Sequence, residues 1–503
     1  MQPDFPTREP STNRPSAHYS GFIKRPESDN PEGYVYIPKT PPYFPRFDVK
    51  KRLPQAIKPT LNYMAQLGLR ALPTAIPIPE LVNWLLERTS AIRRMFIPTK
   101  LQKPGAPDSI RLQDWMPANK TRLRPDRDSD EYFVDRRLNG FNPGKLNRAP
   151  EGRPWQYQVR YETGRYKPKP GAFLPEYCEA RFIYRDRQLF PHSIEYSVKP
   201  EINGKTSSRE DIVEVKPDQG EAWITAKYIF RGCEYVFQEI QSHLGRTHMN
   251  MDQYAMAFYR NIVKNPIWQL LSPHFEGLLS IDQRGASLII GDTGFIPEAS
   301  ALDNDSVTDV LIKELEELDY RWNPRGQWLE DDVANDYFKR SSQAMWELLT
   351  LYVEEFFDAN QLRIKDHWSE VQGMSEDLVQ HSIAKERNNL EIHDIQHLKL
   401  LCVYVIYHCS FLHSWVNNKQ YEDGGDVEYA SIGMWNEKSA HYNVKDVYKR
   451  RNKQVQLMWT LANVHYNPII EYGSDRLKAL IWEYRDRLEP GIPIGWIMMS
   501  INI

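Results

Sequence analysis

The sequence predicts a mainly α-helical protein with a few short antiparallel strands, and three observations support this fold class. Beyond Glu221, apolar residues recur at helical spacing nearly to the end of the chain. Alternation between apolar and polar residues, which is typical of half-buried strands, is concentrated in 155–235. Hydrophobic residues make up 41% of the 503 residues and aromatic residues 12%, which is enough for a sizeable core.

The N-terminal part divides into two predicted segments. Residues 1–52 are dense in proline and lack periodicity, so we expect an extended arm. Residues 53–124 are predicted to form a helical extension. Within it, 81–96 combines an apolar face with nearby arginines, as an interfacial membrane helix would. Packing of that face on the rest of the protein is an equal alternative.

The remaining residues, 125–503, are predicted to form one domain. Strands are expected at 155–161, 193–198 and 211–215. Amphipathic helices are expected at 307–318 and 332–357, where we interpret the aromatic side chains as core residues. Gly424 and Gly425 lie in a turn-forming stretch that should end the helix before them.

Composition argues against several classes of function. The formal charge of −3 and the pI near 6.5 give no electrostatic reason to expect nucleic-acid binding. The longest apolar stretch, 398–412, is interrupted by Lys399 and His408, so we expect a buried helix and not a membrane span. The N-terminus lacks a signal-peptide pattern, and the four cysteines are few for the length. We therefore expect a cytoplasmic protein with reduced thiols.

Two histidine patterns and the chain terminus supply candidate metal ligands. The patterns are His243-x4-His248 and His413-x3-Asn417, and the chain ends at Ile503. Three imidazoles, one amide and one free carboxylate make a complete ligand set for a redox metal. Each pattern taken singly is expected by chance among thirteen histidines. The surrounding sequence therefore decides whether these residues are ligands or ordinary core residues.

The surrounding sequence resembles that of the lipoxygenase family. Residues 238–248, QEIQSHLGRTH, are similar to the animal-type form of its first metal motif, and 413–421 keep the frame His-x-x-Val-Asn-x-x-Gln-Tyr. Three more segments follow in the family's order, namely RLNGFNP at 137–143, WITAK at 223–227 and PIWQLLSPH at 266–274. The resemblance covers roughly 125–503 and implies a lipoxygenase-type helical catalytic domain.

Five residues depart from the family's motifs. Asn265 stands where many members have a histidine. Ser414 and Trp415 replace two alanines, and Asn418 and Lys419 replace an aromatic–glycine pair. The last four lie on or beside the expected metal helix, so they bear on pocket shape and rate more than on metal binding.

The resemblance implies a non-haem iron site with five ligands: His243, His248, His413, Asn417 and the carboxylate of Ile503. On a regular α-helix, residues five apart are rotated by about 140°, so the resemblance also implies a local π-turn between the first two histidines. The third histidine and the asparagine need no distortion, because residues four apart share one face. Manganese is less favoured than iron, since manganese members more often end in valine.

Three further residues are predicted to act around the metal. Glu239 and Gln420 occupy the family's positions for side chains that orient the ligands. Gly285 falls where glycine accompanies R products and alanine accompanies S products. A shift of the register by one residue, onto Ala286, would reverse this prediction.

The resemblance therefore predicts a non-haem iron dioxygenase. A hydrogen atom would leave the doubly allylic carbon of linoleic, linolenic or arachidonic acid, and O2 would add to give a hydroperoxide, of R configuration by Gly285. A hydroperoxide isomerase that forms epoxyalcohols on the same scaffold is the alternative. The complete ligand set argues against a metal-free lipid-binding protein. Many eukaryotic members carry an N-terminal β-barrel of eight strands. The sequence does not show eight stretches of alternating residues that could form one, so we expect a short, bacterial-type enzyme.

Overall fold

The structure is a computed structural model, and it describes 126–501 with gaps. The gaps are 171, 199–200, 203–204, 207–210, 286–288, 292–293, 427–428, 434–449, 451–452, 455–456, 459–460 and 462–466. The predicted arm at 1–52, the helical extension at 53–124 and the terminal Ile503 lie outside the described residues. The cytoplasmic location and the membrane contact of 81–96 therefore stay predictions.

Helices dominate the described residues, as the hydrophobic periodicity predicted. The α-helices are α1 (Asp130–Asn139), α2 (Glu221–Phe237), α3 (Asn250–Asn261), α4 (Ile267–Leu271), α5 (Leu278–Gly285), α6 (Phe295–Ala299), α7 (Asn304–Glu317), α8 (Tyr337–Asp366), α9 (Trp368–His381), α10 (Ile395–Tyr407), α11 (His413–Gly424), α12 (Ile469–Tyr472), α13 (Asp475–Glu483) and α14 (Arg485–Leu488). Helix α8 begins five residues later than the predicted 332. The carboxylate of Asp336 accepts a hydrogen bond from the amide of Lys339 at 2.9 Å, which caps the helix at that point.

The strands form one small antiparallel sheet and a separate two-stranded ribbon. They are β1 (Asn147–Arg148), β2 (Tyr157–Glu162), β3 (Tyr177–Arg185), β4 (Gln188–Val198), β5 (Glu201–Ile202), β6 (Lys205–Thr206) and β7 (Asp211–Val215). The sheet has the order β1-β2-β3-β4-β7, and β5 pairs with β6. The three predicted strands are confirmed as β2, β4 and β7. Strand β3 was not predicted, although its buried Cys178, Ala180 and Phe182 alternate in sequence with polar residues.

The helical run Ile395–Tyr421 joins α10, a π-helical segment and α11. Among the described residues it alone is long and apolar enough to cross a membrane, but 72% of its apolar window is buried inside the protein. Leu398, Cys402 and Val405 are fully buried. The prediction of a buried helix at 398–412 is confirmed, and this helix forms part of the core.

Buried ion pairs fasten α1 to the helices behind it. Arg136 donates to Asp423 on α11 at 2.8 Å, and both side chains are buried. Arg137 donates to Glu234 on α2, where burial raises the pKa of that carboxyl to about 7. Because removing one partner of a buried pair leaves a charge uncompensated, these contacts fix α1 against the core. Arg137 begins the motif RLNGFNP, the first of two family motifs that act through helix packing.

The second of these motifs makes a similar contact at the start of α1. The indole of Trp223 donates to the carboxylate of Asp130 at 2.6 Å, and the ammonium of Lys227 donates to the same carboxylate at 3.0 Å. Both residues lie on α2, four apart and therefore on one face. The pairing of tryptophan and lysine at this spacing holds α2 to the beginning of α1.

The stability of this core is expected to depend on pH through His274. Its ring Nδ1 contacts the carbonyl of Met499 at 2.6 Å, and burial lowers its pKa to about 4. Below its ordinary pKa of 6.5 the unfolded chain takes up a proton that the folded protein does not. The contribution of His274 to the free energy of unfolding should therefore fall by about 3 kcal/mol between pH 7 and pH 4, as urea denaturation of the wild type and of a non-titrating variant would measure.

The control for this prediction is His274→Gln, whose amide can still donate to Met499 but does not titrate. The variant should lose less stability than the wild type over the same pH range. Equal pH dependence of the two unfolding free energies would contradict the role assigned to His274.

Candidate metal centre

Three histidine side chains from two helices converge inside the protein. His243 and His248 lie on the π-helical segment Gln238–Met249, and His413 is the first residue of α11. One ring nitrogen from each lies within 4.8 Å of those of the other two, and all three rings are buried. The ring centroids are 4.9 to 5.4 Å apart. Three imidazoles at this spacing fit around a single metal ion.

The distortion predicted between His243 and His248 is present. It spans twelve residues between α2 and α3 and brings residues five apart onto one side of the helix. Gly245 lets α7 pack closely here, because an added Cβ would lie 3.3 Å from Cγ of Glu314, which is tighter than most Cβ contacts. A second π-helical segment, His408–Leu412, precedes α11 and was not predicted from the sequence.

Asp282 orients the second histidine. Its carboxylate lies 2.6 Å from Nδ1 of His248, so the other ring nitrogen, Nε2, is left to bind a metal. Burial raises the pKa of Asp282 well above its ordinary value. The sequence analysis missed this residue. Asp282 lies on α5, 34 residues beyond His248, and no short sequence pattern connects two residues at that separation.

Glu239 lies beside the first histidine, as predicted. Its carboxylate is 3.7 Å from Nδ1 of His243, which is beyond hydrogen-bonding distance. Neither ring nitrogen of His243 has a hydrogen-bond partner among the described residues. Buried polar atoms are normally satisfied by protein, water or an ion. A metal bound at this ring would satisfy one of them.

Gln420 and Tyr421 contact the side chain of Asn417. Its Oδ1 accepts from Nε2 of Gln420 at 3.0 Å and from the hydroxyl of Tyr421 at 3.3 Å. Among the described residues, Nδ2 of Asn417 and Oε1 of Gln420 have no hydrogen-bond partner. Rotating both amides by 180° lets Nδ2 donate to Oε1 and frees Oδ1 as a metal ligand. The amide pair therefore fits the weak ligand that the sequence predicted.

Four of the five residues that depart from the family's motifs make specific hydrogen bonds. The indole of Trp415 donates to the carbonyl of Gly140 at 3.0 Å and packs on Phe338. The amide of Asn265 donates to the carbonyl oxygens at 364 and 367. Ser414 and Asn418 contact the C-terminal segment. These substitutions thus serve packing and hydrogen bonding and leave the three histidines together.

The two remaining predicted residues are placed only in part. Gly285 is the last residue of α5, three positions after Asp282, and residues three apart share one face of a helix. Ala286 lies outside the described residues, as does Ile503. The chain is described up to Ile501, which is fully buried. The roles of Gly285 and of the terminal carboxylate stay predictions.

The donor set fits a metal such as iron. Imidazole, amide and carboxylate are hard to borderline ligands, and the described site offers no thiolate that would favour a softer metal. A helical domain with a buried three-histidine site on π-distorted helices defines a class of metal-binding protein. Comparison with known proteins gives the family within that class.

The chain belongs to the lipoxygenase family. The family model described as Lipoxygenase matches 179–310. A linolenate 9R-lipoxygenase of Nostoc sp. strain PCC 7120 is 37% identical over 381 residues, which are 74% of this chain and 46% of the relative. An arachidonate 12-lipoxygenase of the 12R type from Mus musculus is 25% identical over 223 residues, which are 42% of this chain and 30% of the relative. The matched regions thus span less than half of these relatives.

The fold agrees with this assignment. A crystal structure of a 9R-lipoxygenase from Cyanothece PCC8801 superposes with a TM-score of 0.73 at 24% identity, and the match covers 96% of this chain and 76% of that one. The structure of coral 8R-lipoxygenase superposes with a TM-score of 0.64 at 17% identity, covering 88% and 73% of the two chains. The predicted fold class, a lipoxygenase-type helical domain with a few strands, is confirmed.

Proposed function

We propose that this protein is a non-haem iron dioxygenase that adds O2 to a 1,4-pentadiene of a polyunsaturated fatty acid and releases a hydroperoxide. The observation that carries the proposal is the buried cluster of His243, His248 and His413. Membership of the lipoxygenase family supports it. The names of the relatives, a linolenate and an arachidonate lipoxygenase, support polyunsaturated fatty acids as the substrate class.

Iron bound at this site would supply one-electron redox chemistry, through which a hydrogen atom leaves the doubly allylic carbon. The residues of the chain supply the setting. Asp282 holds the ring of His248 in one orientation, and Gln420 holds the amide of Asn417. The four described candidate ligands, the three histidines and Asn417, are exposed by 4% or less, which keeps bulk water away from a radical intermediate.

We further propose that the product has the R configuration. Gly285 occupies the position that accompanies R products in the resemblance, and two similar proteins are named 9R-lipoxygenases.

The test is to incubate the protein with linoleic, linolenic and arachidonic acids and to measure oxygen uptake with an oxygen electrode. The iron content of the protein is measured as well, and the reduced products are separated on a chiral phase. We expect about one iron per chain, oxygen uptake and an R hydroperoxide, all absent in His413→Ala. A protein that consumes fatty acid hydroperoxide without taking up oxygen would instead be the isomerase. A protein without iron would contradict both functions.

The amide pair gives a prediction for Gln420→Leu. The variant removes one of the two hydrogen-bond partners of Asn417, leaving Tyr421, while keeping a side chain of similar size. Substitution of a residue that hydrogen-bonds to a metal ligand typically lowers metal affinity or activity by about 10- to 100-fold, so kcat should fall by about that factor. The matched control is Gln420→Glu, whose carboxylate oxygen can still accept from Nδ2 of Asn417. Equal loss in both variants would contradict the orienting role.

A further inference from the structure

The last described residues of the chain lie against the metal helix α11. Ile497 and Met498 are fully buried. The hydroxyl of Ser414 accepts a hydrogen bond from the amide of Met498 at 2.8 Å and donates to the carbonyl of Ser410 in its own helix. The side chain of Ser414, the residue that directly follows His413, thus joins the C-terminal segment to the metal helix.

Asn418, one helical turn later, makes a second contact of the same kind. Its Nδ2 donates to the carbonyl of Trp496 at 3.4 Å and to the carbonyl of Ser414 at 2.8 Å. Four residues of α-helix rise by about 6 Å. Two residues of extended chain span about 6.6 Å. The two side chains therefore match the spacing between Trp496 and Met498.

The opposite side of the segment is held by other elements. The carbonyl of Met499 contacts Nδ1 of His274, and its amide donates to the carbonyl of Asn467 at 2.8 Å. These contacts fix the segment against the core. The side chains of Ser414 and Asn418 tie the segment to the metal helix by hydrogen bonds.

We propose that Ser414 and Asn418 are positioning residues that hold the C-terminal segment on the metal helix and so set the place of the terminal carboxylate at the iron. The inference rests on the proposed function. Each residue directly follows a candidate ligand, His413 or Asn417. Both are departures from the family's motifs, where alanine and an aromatic residue offer no such bond. The fixing of the terminus is therefore built into this chain's own sequence.

The consequence of losing the hydroxyl of Ser414 is local. In Ser414→Ala the amide of Met498 keeps no acceptor on α11 and lies buried, a state that folded proteins avoid. The C-terminal segment should then separate from α11 more often. The terminal carboxylate, five residues beyond Met498, should therefore be bound to the metal for a smaller fraction of the time. Hydrogen exchange at Met498 reports the first effect. The electron paramagnetic resonance spectrum of the ferric protein reports the second.

Ser410 provides a matched control. It is fully buried on the same helical run, one turn before Ser414, and donates to the carbonyl of Ile406 in the same way. No hydrogen bond joins it to the C-terminal segment among the described residues. Ser410→Ala therefore removes a buried hydroxyl from the same helix without touching the segment, and Ser414→Thr restores the hydroxyl at the tested position.

In the iron-loaded protein, we expect exchange at Met498 to be at least tenfold faster in Ser414→Ala, with an altered ferric spectrum and faster iron release to a chelator. Ser410→Ala and Ser414→Thr should behave as the wild type. Should Ser414→Ala fail to fold, Asn418→Ala tests the same connection through Trp496.

Two results would overturn the proposal. One is an unchanged exchange rate in Ser414→Ala, which would mean that the hydrogen bond does not hold the segment. The other is faster exchange with a wild-type ferric spectrum, which would mean that the segment does not position the ligand. Failure of the proposed function is distinct, because it shows as a wild-type protein that binds no iron and takes up no oxygen.

Discussion

Adding one glycine after Ile503 is expected to abolish oxygen uptake with linoleate. The added residue converts the terminal carboxylate into a neutral amide carbonyl and moves the free carboxylate one residue away. The segment before it cannot shift to compensate, because Met498 and Met499 are fixed by hydrogen bonds on both sides. The metal would lose an anionic ligand, so iron content should also fall. Oxygen-electrode assays and metal analysis measure both effects.

The control for the extended chain is Ile503→Val, which shortens the side chain but keeps the carboxylate. This variant should retain iron and most of the activity. Full iron content and normal turnover in the extended chain would rule out the terminal carboxylate as a ligand.

Gly285→Ala should move the product from the R hydroperoxide toward the S form at the other end of the same pentadienyl radical. The added methyl group would close the space in which O2 meets one end of the radical. A tenfold change of the product ratio needs only about 1.4 kcal/mol between the competing transition states. Gly285 lies one turn beyond Asp282 on α5, the helix that orients His248.

Chiral-phase analysis of the reduced products measures this ratio, and the rate of hydrogen abstraction should change little. Ala286→Gly is the control for the register. If Ala286 is the controlling residue, its replacement will change the ratio and Gly285→Ala will not. An S product from the wild type would show that the pocket controls oxygen by other means.

The histidine and asparagine candidates could be predicted from the sequence because each pair lies within one helical segment and inside a motif that resembles the family's. His243 and His248 are only five residues apart in the sequence, and the structure brings them together with His413. The same locality explains why strand β7 was predicted with both of its observed ends, Asp211 and Val215, and why the helical pattern was predicted from Glu221, where α2 begins.

The features that the sequence did not predict depend on contacts between residues that are far apart in the chain. Asp282 is recognisable only once α5 lies beside His248, and Ser414 gains its role only when Met498 reaches α11. The second π-helical segment, His408–Leu412, has no pattern of polar and apolar residues that distinguishes it from α-helix. Such features follow from packing, which a pattern read along one chain does not contain.

The two π-helical segments also determine where the chain tolerates changes of length. A π-turn is an α-helix that holds one additional residue. Deleting one residue between His243 and His248 would let the helix become regular, and the two histidines would still share a face at a spacing of four. The residues beyond the deletion would keep their orientation, because only the additional residue of the π-turn is lost, so the buried face of α3 would still point toward its partners. A deletion within the regular helix α3 would instead turn every residue beyond it by about 100°, which would carry the buried face of that helix away from its partners.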